Sequence, residues 1–492
     1  MPRPPLIAVL AGATLLAGCN LAPGYVRPVG AVPAALPQGG IYPAAASDAP
    51  DVSRIGWRDF FTDLRLQATI ATGLENNRDL RVAAGNVLAA RERYRVQRAD
   101  RLPTVGLNGG ATFTNNLGGA TGGSAGVGTG TGAGAGAATG GSSGLQLYAA
   151  TAGVSNFEVD LFGRVRNLSR AAQEQYFATE EAQRAARISL IAEIATAWLQ
   201  LAADQDQLVL SRSTLSAFEQ TRRLTQAQFR IGVASELEAR QADTNYQAAV
   251  NDIAVLETRI AQDGNALTLL VGAPVPAAQL PTGLGEGRAT VPTLPAGLSS
   301  AVLLRRPDVL QAEHQLIAEN FNIGAARAAR FPLISLTGLV GTISTALSGL
   351  FGGGSYTYTG APGVAFPLFD GGRGAANVRL SEANRQVAAA SYERTIQVAF
   401  REVADALAQR GTIDRQIAAQ SQRAESASVA ARLSDARYRV GVESFLTSLD
   451  AQRTAYAARQ QLVTTRLARS TNLVELYRSL GGGLSETGLP SR

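Results

Sequence analysis

Side chains that could perform chemistry are scarce in this chain of 492 residues. It has one cysteine, one histidine and one methionine. Zinc sites need several Cys or His ligands, disulfides need cysteine pairs, and nucleophilic catalysis usually needs a histidine or a second base beside the nucleophile. These counts argue against all three. We therefore predict no enzyme, no metal and no cofactor, and we interpret His314 as structural because a single imidazole without a predicted partner has no mechanism.

The charge pattern does not indicate nucleic-acid binding. The formal net charge is +6, but the chain contains no lysine, and its arginines are spread among Glu and Asp along predicted helices. No basic stripe results. With 46% hydrophobic residues the chain is not a disordered polymer. No run of eighteen apolar residues follows the N-terminus, which argues against a helical membrane protein and leaves membrane β-strands open.

The N-terminus predicts an export signal. Arg3 supplies a positive charge, residues 6–16 are apolar, and small residues precede Cys19. This segment is too short to remain as a membrane span, so residues 1–18 are predicted to be a signal peptide.

The sequence Leu16-Ala17-Gly18-Cys19 resembles the lipobox of bacterial lipoproteins. The resemblance implies cleavage before Cys19 and attachment of lipid to that residue; an ordinary signal peptide with an incidental cysteine is the alternative. Asn20 follows where an aspartate would favour retention in the inner membrane, which implies sorting to the outer membrane.

The two halves of the chain repeat one sequence pattern. Near the front of each half the matched residues are 229 positions apart, and further on they are 209 positions apart, because the first half has a longer glycine-rich tract at 115–144. Matches at two constant offsets indicate a duplication. Clear pairs are Arg98 and Arg327, Pro103 and Pro332, Gly163 and Gly372, Gly232 and Gly441, Ser235 and Ser444, and Gly272 and Gly481.

This repeat sets the predicted domain boundaries. We expect a signal peptide at 1–18, an extended tether at 19–61, a first repeat at 62–272, a linker at 273–296, a second repeat at 297–481 and a tail at 482–492.

Each repeat begins with a helix and two strands. Helices are predicted over about 76–101 and 306–330, each ended by a proline. Period-two alternation predicts strands at 104–114 and 156–161 in the first half, and at 334–341 and from Tyr356 in the second. Their length suits strands that cross a bilayer, and Tyr356 and Tyr358 share a face as aromatic residues at a membrane interface would.

Each repeat then continues into a long helix. Proline is absent from 104–273 and from 368–489, and apolar residues recur at helical spacing from Arg164 to about Phe229 and from Arg373 to about Tyr438. Some 65 residues give a rod of roughly 100 Å, typical of coiled coils or helical barrels. Each rod ends in a Gly–Val turn followed by a serine that starts a returning helix.

Four strands in one chain cannot close a barrel. A sheet that spans lipid must have no open edge, and known bacterial barrels start at eight strands. We therefore predict oligomerisation, with a copy number that the residues alone leave open.

Several stretches resemble the outer membrane factor family, the TolC/OprM group with its lipoprotein branch. They run in family order through most of the chain: Gly56–Phe61, Asn77–Leu80, Arg305–Val309, Asn322–Arg327, Leu368–Arg373 and the two turns. The resemblance implies a mainly α fold with transmembrane β, a homotrimer, and a twelve-stranded outer-membrane β-barrel continuous with a long periplasmic α-helical barrel. It also implies a periplasmic adaptor and an inner-membrane transporter of the RND class as partners, and no catalysis.

The same resemblance implies roles for the residues at the turns. Adaptor contacts are expected at Gly232, Val233, Ser235, Gly441, Val442 and Ser444, although these residues could simply form tight turns. Acidic residues near such turns line the closed pore in the family, which makes Asp450 and Glu238 gate candidates. For Asp450 the alternative is a solvated helix face, and for Glu238 a helix cap. Thr447 occupies a position where a second acidic ring can occur in the family.

We predict that residues 305–308 have a structural role at the start of a helix and no role in transport. Arg305, Arg306 and Asp308 surround Pro307 at a predicted helix start, where proline and an acidic residue are ordinary.

The predicted function is therefore an outer-membrane exit duct of an RND-type efflux pump, lipid-anchored and extending into the periplasm. It would passively conduct drugs or other small molecules through a gated trimeric pore. The alternatives are an exit duct for metal efflux or type I protein secretion, and a structural coiled-coil lipoprotein of the envelope.

Overall fold

A computed structural model describes residues 20–43, 55–114, 145–285, 290 and 299–483 of the chain. Cys19, the signal peptide before it and the glycine-rich stretch at 115–144 lie outside the described residues. The predictions made for these three segments therefore remain predictions.

Eight α-helices and four strands make up the described parts of the chain. In chain order they are α1 Trp57–Phe60, α2 Leu64–Asn76, α3 Arg78–Ala99, β1 Val105–Thr114, β2 Leu145–Glu158, α4 Arg164–Arg230, α5 Glu236–Val271, α6 Pro307–Ala328, β3 Leu333–Ser344, β4 Tyr356–Ala365, α7 Arg373–Arg439 and α8 Phe445–Ser479. Short 3-10 helices occur at Ala277–Gln279, Ser300–Arg305 and Leu347–Gly349. The chain is mostly helical, as predicted.

The four strands form one antiparallel sheet in the order β1-β2-β3-β4. Strands β1 and β4 are its edges, each paired on one side only. The cross-strand row of Leu107, Ala152, Val340 and Tyr358 is apolar on all four strands. The next row, on the opposite face, is Asn108, Thr151, Gly341 and Thr357. Each strand therefore has an apolar face and a more polar face, because successive side chains point to opposite sides.

The prediction for the second strand was wrong. Alternation had been assigned to residues 156–161, whereas β2 covers Leu145–Glu158 and carries a register shift between Val154 and Phe157. Asn156 at this shift has a φ of 56°, and its N–H donates to Thr337 Oγ1 at 3.0 Å. The extra residue of a β-bulge reverses the alternation of side chains between the two faces of the strand. The alternation before the bulge and the alternation after it are therefore out of phase, and the sequence pattern did not reveal them as one strand.

The two long helices agree with the predicted boundaries to about one residue. Helices α4 and α7 each contain 67 residues. Among the described helices, α4 is the one with a stretch long and apolar enough to cross a membrane, but more than half of that stretch is buried within the protein. A helix that packs in a protein core meets the same criterion, so this stretch by itself is weak evidence of a helical span.

The fold divides into two compact units. The first contains residues 88–177 and 313–390 together with the segment up to Arg27, and it includes the whole sheet. The second contains residues 28–87, 178–312 and 391–492. In the second unit the ring of Tyr477 stacks on Phe60 with centroids 4.0 Å apart, and Trp57 and Trp198 are fully buried.

Arg306, assigned to a helix start, also joins three segments of the second unit. Its side chain is buried, donates twice to Asp308, at 3.0 and 2.7 Å, and once to Glu402 at 2.8 Å. It also donates to the backbone carbonyl of Ser479 at 2.7 Å. Arg306 therefore has an architectural role that extends beyond the start of α6. Its buried guanidinium is tolerated because it is hydrogen-bonded to these acceptors.

His314 has a partner that the sequence did not suggest. In the first unit its Nδ1 lies 2.6 Å from Glu174 Oε2, and its ring lies 5.5 Å from that of Phe177. The expectation of an imidazole without a nearby partner was wrong, because Glu174 is 140 residues away in sequence.

Candidate functional site

The turn between α4 and α5 is closed by a left-handed glycine. Gly232 has a φ of 76°, its N–H donates to Phe229 O at 3.0 Å, and the N–H of Val233 donates to Gln228 O at 2.9 Å. This pair of bonds is the Schellman arrangement, which satisfies the last carbonyls of a helix and needs a residue without a Cβ penalty at positive φ. The sequence prediction of a glycine C-cap is confirmed at this turn.

A capping box starts α5 directly after this turn. Ser235 Oγ accepts from the N–H of Glu238 at 3.3 Å, and Glu238 Oε2 accepts from the N–H of Ser235 at 2.7 Å. Two backbone donors at the helix start are thereby satisfied by each other's side chains. The predicted capping box is present.

The turn between α7 and α8 repeats the first one. Gly441 has a φ of 77° and donates to Tyr438 O at 2.9 Å, while Val442 donates to Arg437 O at 3.0 Å. Ser444 Oγ then accepts from the N–H of Thr447 at 3.1 Å. Because Thr447 replaces the glutamate, the reciprocal half of the capping box is missing here.

Both turns expose apolar side chains. In the second turn Val440 and Val442 are 73% and 65% exposed, and in the first Ile231 and Val233 are 75% and 72% exposed. We call these two turns, residues 229–238 and 438–447, the tips. Their exposed apolar residues are Phe229, Ile231, Val233, Leu237, Val440, Val442 and Leu446.

A small core within the second unit holds the tips together. Phe445 is buried with Leu449 of its own helix and Ala242 of α5, and Tyr438 packs against this cluster. Tyr438 Oη donates to Gln228 Oε1 at 2.7 Å. Burial raises the pKa of Tyr438, so its hydroxyl stays protonated and available as a donor. The tip of α7–α8 is thereby tied to the end of α4.

The two gate candidates have different surroundings. Asp450 is exposed, and its carboxylate makes no hydrogen bond or ion pair with the rest of the described chain. The carboxylate of Glu238 is occupied by the capping box. Moving Glu238 would break the cap, so this side chain has a structural role at the start of α5. The gate role of both residues stays a prediction.

Further helix-to-helix contacts lie away from the tips. Tyr456 Oη of α8 lies 2.8 Å from Ser211 Oγ of α4 and donates to Asp252 Oδ2 of α5 at 3.1 Å. Arg222 of α4 pairs with Asp243 of α5 at 3.3 Å. Sequence reasoning missed both contacts, because nothing in a helical pattern marks which polar residues meet across helices.

A carboxylate pair joins α4 and α5. Asp204 is 3% exposed and accepts from Gln200 Nε2 at 3.2 Å. Burial, followed by a hydrogen bond with Asp204, raises the pKa of Asp263 to about 6, although Arg259 opposes the shift. The Asp263 carboxyl therefore takes up a proton under mildly acidic conditions, because burial and a nearby like charge both disfavour its charged form. Within the described residues no group of three or more His, Cys, Asp or Glu side chains is placed to hold a metal.

Comparison with known families gives one match that covers most of the chain. The family described as outer membrane efflux protein matches residues 70–273 and again 298–482.

Individual relatives match along nearly the full length. The probable efflux pump outer membrane protein TtgC of Pseudomonas putida is 41% identical over 482 residues, covering 98% of this chain and 96% of TtgC. The cation efflux system protein CusC of Escherichia coli is 38% identical, covering 96% of this chain and 98% of CusC. Among solved structures, the open state of the MtrE outer membrane channel of Neisseria gonorrhoeae superposes with a TM-score of 0.82 at 34% identity, covering 96% of this chain and all of that one.

The carboxylate pair predicts a pH dependence of stability. The folded chain binds the Asp263 proton more tightly than the unfolded chain does, so stability should fall as the pH rises from 3.8, the ordinary value, to about 6. Asp263→Asn should flatten this part of the curve, and Asp450→Asn, which removes the same charge at an exposed position, should not. Thermal unfolding of the purified protein at a series of pH values measures this; parallel curves for the parent and Asp263→Asn would contradict it.

Proposed function

Because the chain belongs to the outer membrane efflux protein family, we propose that three copies of it form the exit duct of a tripartite RND-type pump. The chain is an outer-membrane efflux channel, as its resemblance to the outer membrane factors predicted. The proposal adds the trimer, a barrel of twelve strands, a periplasmic barrel of long helices, and passive export of drugs or other small molecules.

The sheet is the observation that carries this proposal. Its apolar row crosses all four strands, with Leu107 at 83% and Tyr358 at 77% exposure, and nothing in the described chain covers these side chains. An apolar outer face and a more polar inner face suit a barrel wall between lipid and water. Since β1 and β4 have open edges, three copies that pair edge to edge would close twelve strands around one pore.

The internal duplication is supported by backbone geometry at matched positions. Gly163 and Gly372, Gly232 and Gly441, and Gly272 and Gly481 all have φ values between 75° and 85°. Helices α4 and α7 begin and end 209 residues apart, at Arg164 and Arg373 and at Arg230 and Arg439. A duplicated unit would give a trimer near-sixfold order in its helical wall.

The tips supply the surface for an adaptor. Helix ends whose backbone groups are satisfied internally leave the apolar side chains free for a partner, and exposed apolar clusters mark protein contacts. We propose that the predicted tip residues Gly232, Val233, Ser235, Gly441, Val442 and Ser444 meet a periplasmic adaptor, which couples the duct to an inner-membrane transporter.

The lipid anchor remains part of the proposal. The lipobox-like sequence before Cys19 supports acylation at that residue, and several acyl chains give lasting membrane attachment where one does not.

Metal export is the second candidate. The relative CusC is named as a cation efflux protein, whereas TtgC is named as an efflux pump protein in one Pseudomonas putida strain and as a toluene efflux pump protein in another. Drug and metal susceptibilities of a deletion strain separate the two cargo classes. Type I secretion and a purely structural lipoprotein stay as alternatives, and ion conductance in a planar bilayer would exclude the latter.

A substitution at the second tip tests the adaptor contact. Gly441→Leu places a side chain on a left-handed backbone, which costs about 1–2 kcal/mol and distorts the turn, although no other atom lies within 4 Å of its Cβ position. We expect trimers at normal levels in the outer membrane and loss of drug resistance. Gly264→Leu, within α5 and equally open, is the control and should keep resistance. Unchanged resistance in Gly441→Leu would contradict a contact at this tip.

The gate assignment predicts a change in conductance. If three Asp450 carboxylates narrow the closed pore, Asp450→Ala should raise the single-channel conductance of the closed state and reduce cation preference. Glu238→Gln, which can still accept the N–H of Ser235, serves as the comparison and should leave the conductance unchanged. Equal conductance of Asp450→Ala and the parent in planar bilayers would remove Asp450 from the gate.

A further inference from the structure

One face of α6 carries the first described residues of the chain. Glu313, Asn320 and Gly324 are spaced seven and four residues apart, so they line up along one side of the helix. Each of the three meets the segment 22–27, which forms no regular secondary structure. All of these residues belong to the first compact unit.

The strongest contact is at Glu313. Its carboxylate, 8% exposed, accepts from Arg27 Nε at 2.8 Å and from Arg27 Nη2 at 2.7 Å. Tyr25 Oη donates to the same carboxylate at 2.9 Å. A bidentate arginine with an additional hydroxyl is a strong and geometrically specific arrangement, and a buried carboxylate left without it would be destabilising.

The other end of the segment is held by close backbone approach. Asn320, 2% exposed, donates from Nδ2 to Pro23 O at 2.6 Å. A Cβ on Gly324 would lie 2.8 Å from the backbone N and Cα of Ala22, closer than such atoms approach. Alanine would favour the helix more than glycine does. Gly324 is therefore needed because the segment passes too close to α6 for a Cβ atom at this position.

The direction of the segment has a consequence. Arg27 lies at Glu313 and Ala22 at Gly324, so the segment runs antiparallel to α6. Its N-terminal end at Ala22 is the end nearer to Ala328, where α6 ends and after which β3 begins at Leu333. Position 19 is three residues before Ala22, and three residues span at most about 11 Å. The docking of Ala22 at Gly324 therefore sets an upper limit on how far from Ala22 a group attached at position 19 could lie.

We propose that the α6 face formed by Glu313, Asn320 and Gly324 is a docking groove for the chain's own N-terminal segment, and that it fixes where the lipid anchor enters the membrane relative to the sheet. The statement about the anchor rests on the proposed acylation of Cys19; the groove does not. The anchor is then a positioned contact rather than a lipid on a loose tether.

Chymotrypsin tests the groove, because the peptide bond after Tyr25 is a cleavage site within the docked segment. The full-length protein purified from membranes in detergent is digested, and mass spectrometry follows the new N-terminus at Val26. We expect Glu313→Gln and Gly324→Ala each to accelerate this cleavage at least about tenfold, because a lost charge-assisted pair or a backbone clash opens the segment.

Matched controls isolate the effect. Glu319→Gln removes a carboxylate of α6 that bonds to Asn322 instead of the segment, and Gly85→Ala adds a methyl group to a helix where its Cβ meets no atom within 4 Å. Both should match the parent. Equal rates of cleavage after Tyr25 in all five proteins would overturn the groove. The groove would also be overturned if Glu313→Gln and Gly324→Ala were cleaved faster by the same factor at sites throughout the chain.

The released fragment separates the two proposals. Residues 19–25 with the added mass of acyl chains agree with both. A fragment that begins at another residue, or lacks acyl mass, would refute acylation of Cys19 while leaving the groove to be judged by the cleavage rates alone.

Discussion

A sheet with two open edges is the constraint on which the rest of this molecule depends. In hydrocarbon no water satisfies the free N–H and C=O groups of β1 and β4, and each group left unpaired costs several kcal/mol. The apolar row across all four strands would also be unfavourable in water. One chain can relieve neither problem. Edge pairing with further copies would relieve the first and the bilayer would relieve the second, so the proposed assembly and membrane insertion together answer both.

The two helix hairpins of the second unit are closed by the same local features. Both tips use the same left-handed glycine and the same serine cap, so two helix hairpins close with their backbone groups satisfied internally. Polar contacts such as that of Tyr438 with Gln228 then tie one hairpin to the other. The tips differ at the third helical position, where Glu238 completes a cap and Thr447 does not. The second helix hairpin also carries the exposed carboxylate of Asp450.

Local rules sufficed for much of this fold. The long helices were predictable to about one residue because proline-free, helix-forming sequence is bounded by glycines that need positive φ. The turn at Gly232 and the cap at Ser235 were predictable for the same reason. Strand β2 was not, since the bulge at Asn156 breaks the alternation on which strand prediction relies. The pairs Asp204 with Asp263 and His314 with Glu174 were invisible, because helical periodicity identifies a face but not the residue it meets.

The number of chains in the channel tests the proposed assembly most directly. Native mass spectrometry of the protein, extracted from outer membranes in mild detergent, measures it without any substitution. We expect a complex of three chains, whose twelve strands would leave no edge unpaired. A stable monomer or dimer in the membrane extract would contradict it, because four or eight strands of this sheet would then have to meet lipid in a different arrangement from the one proposed.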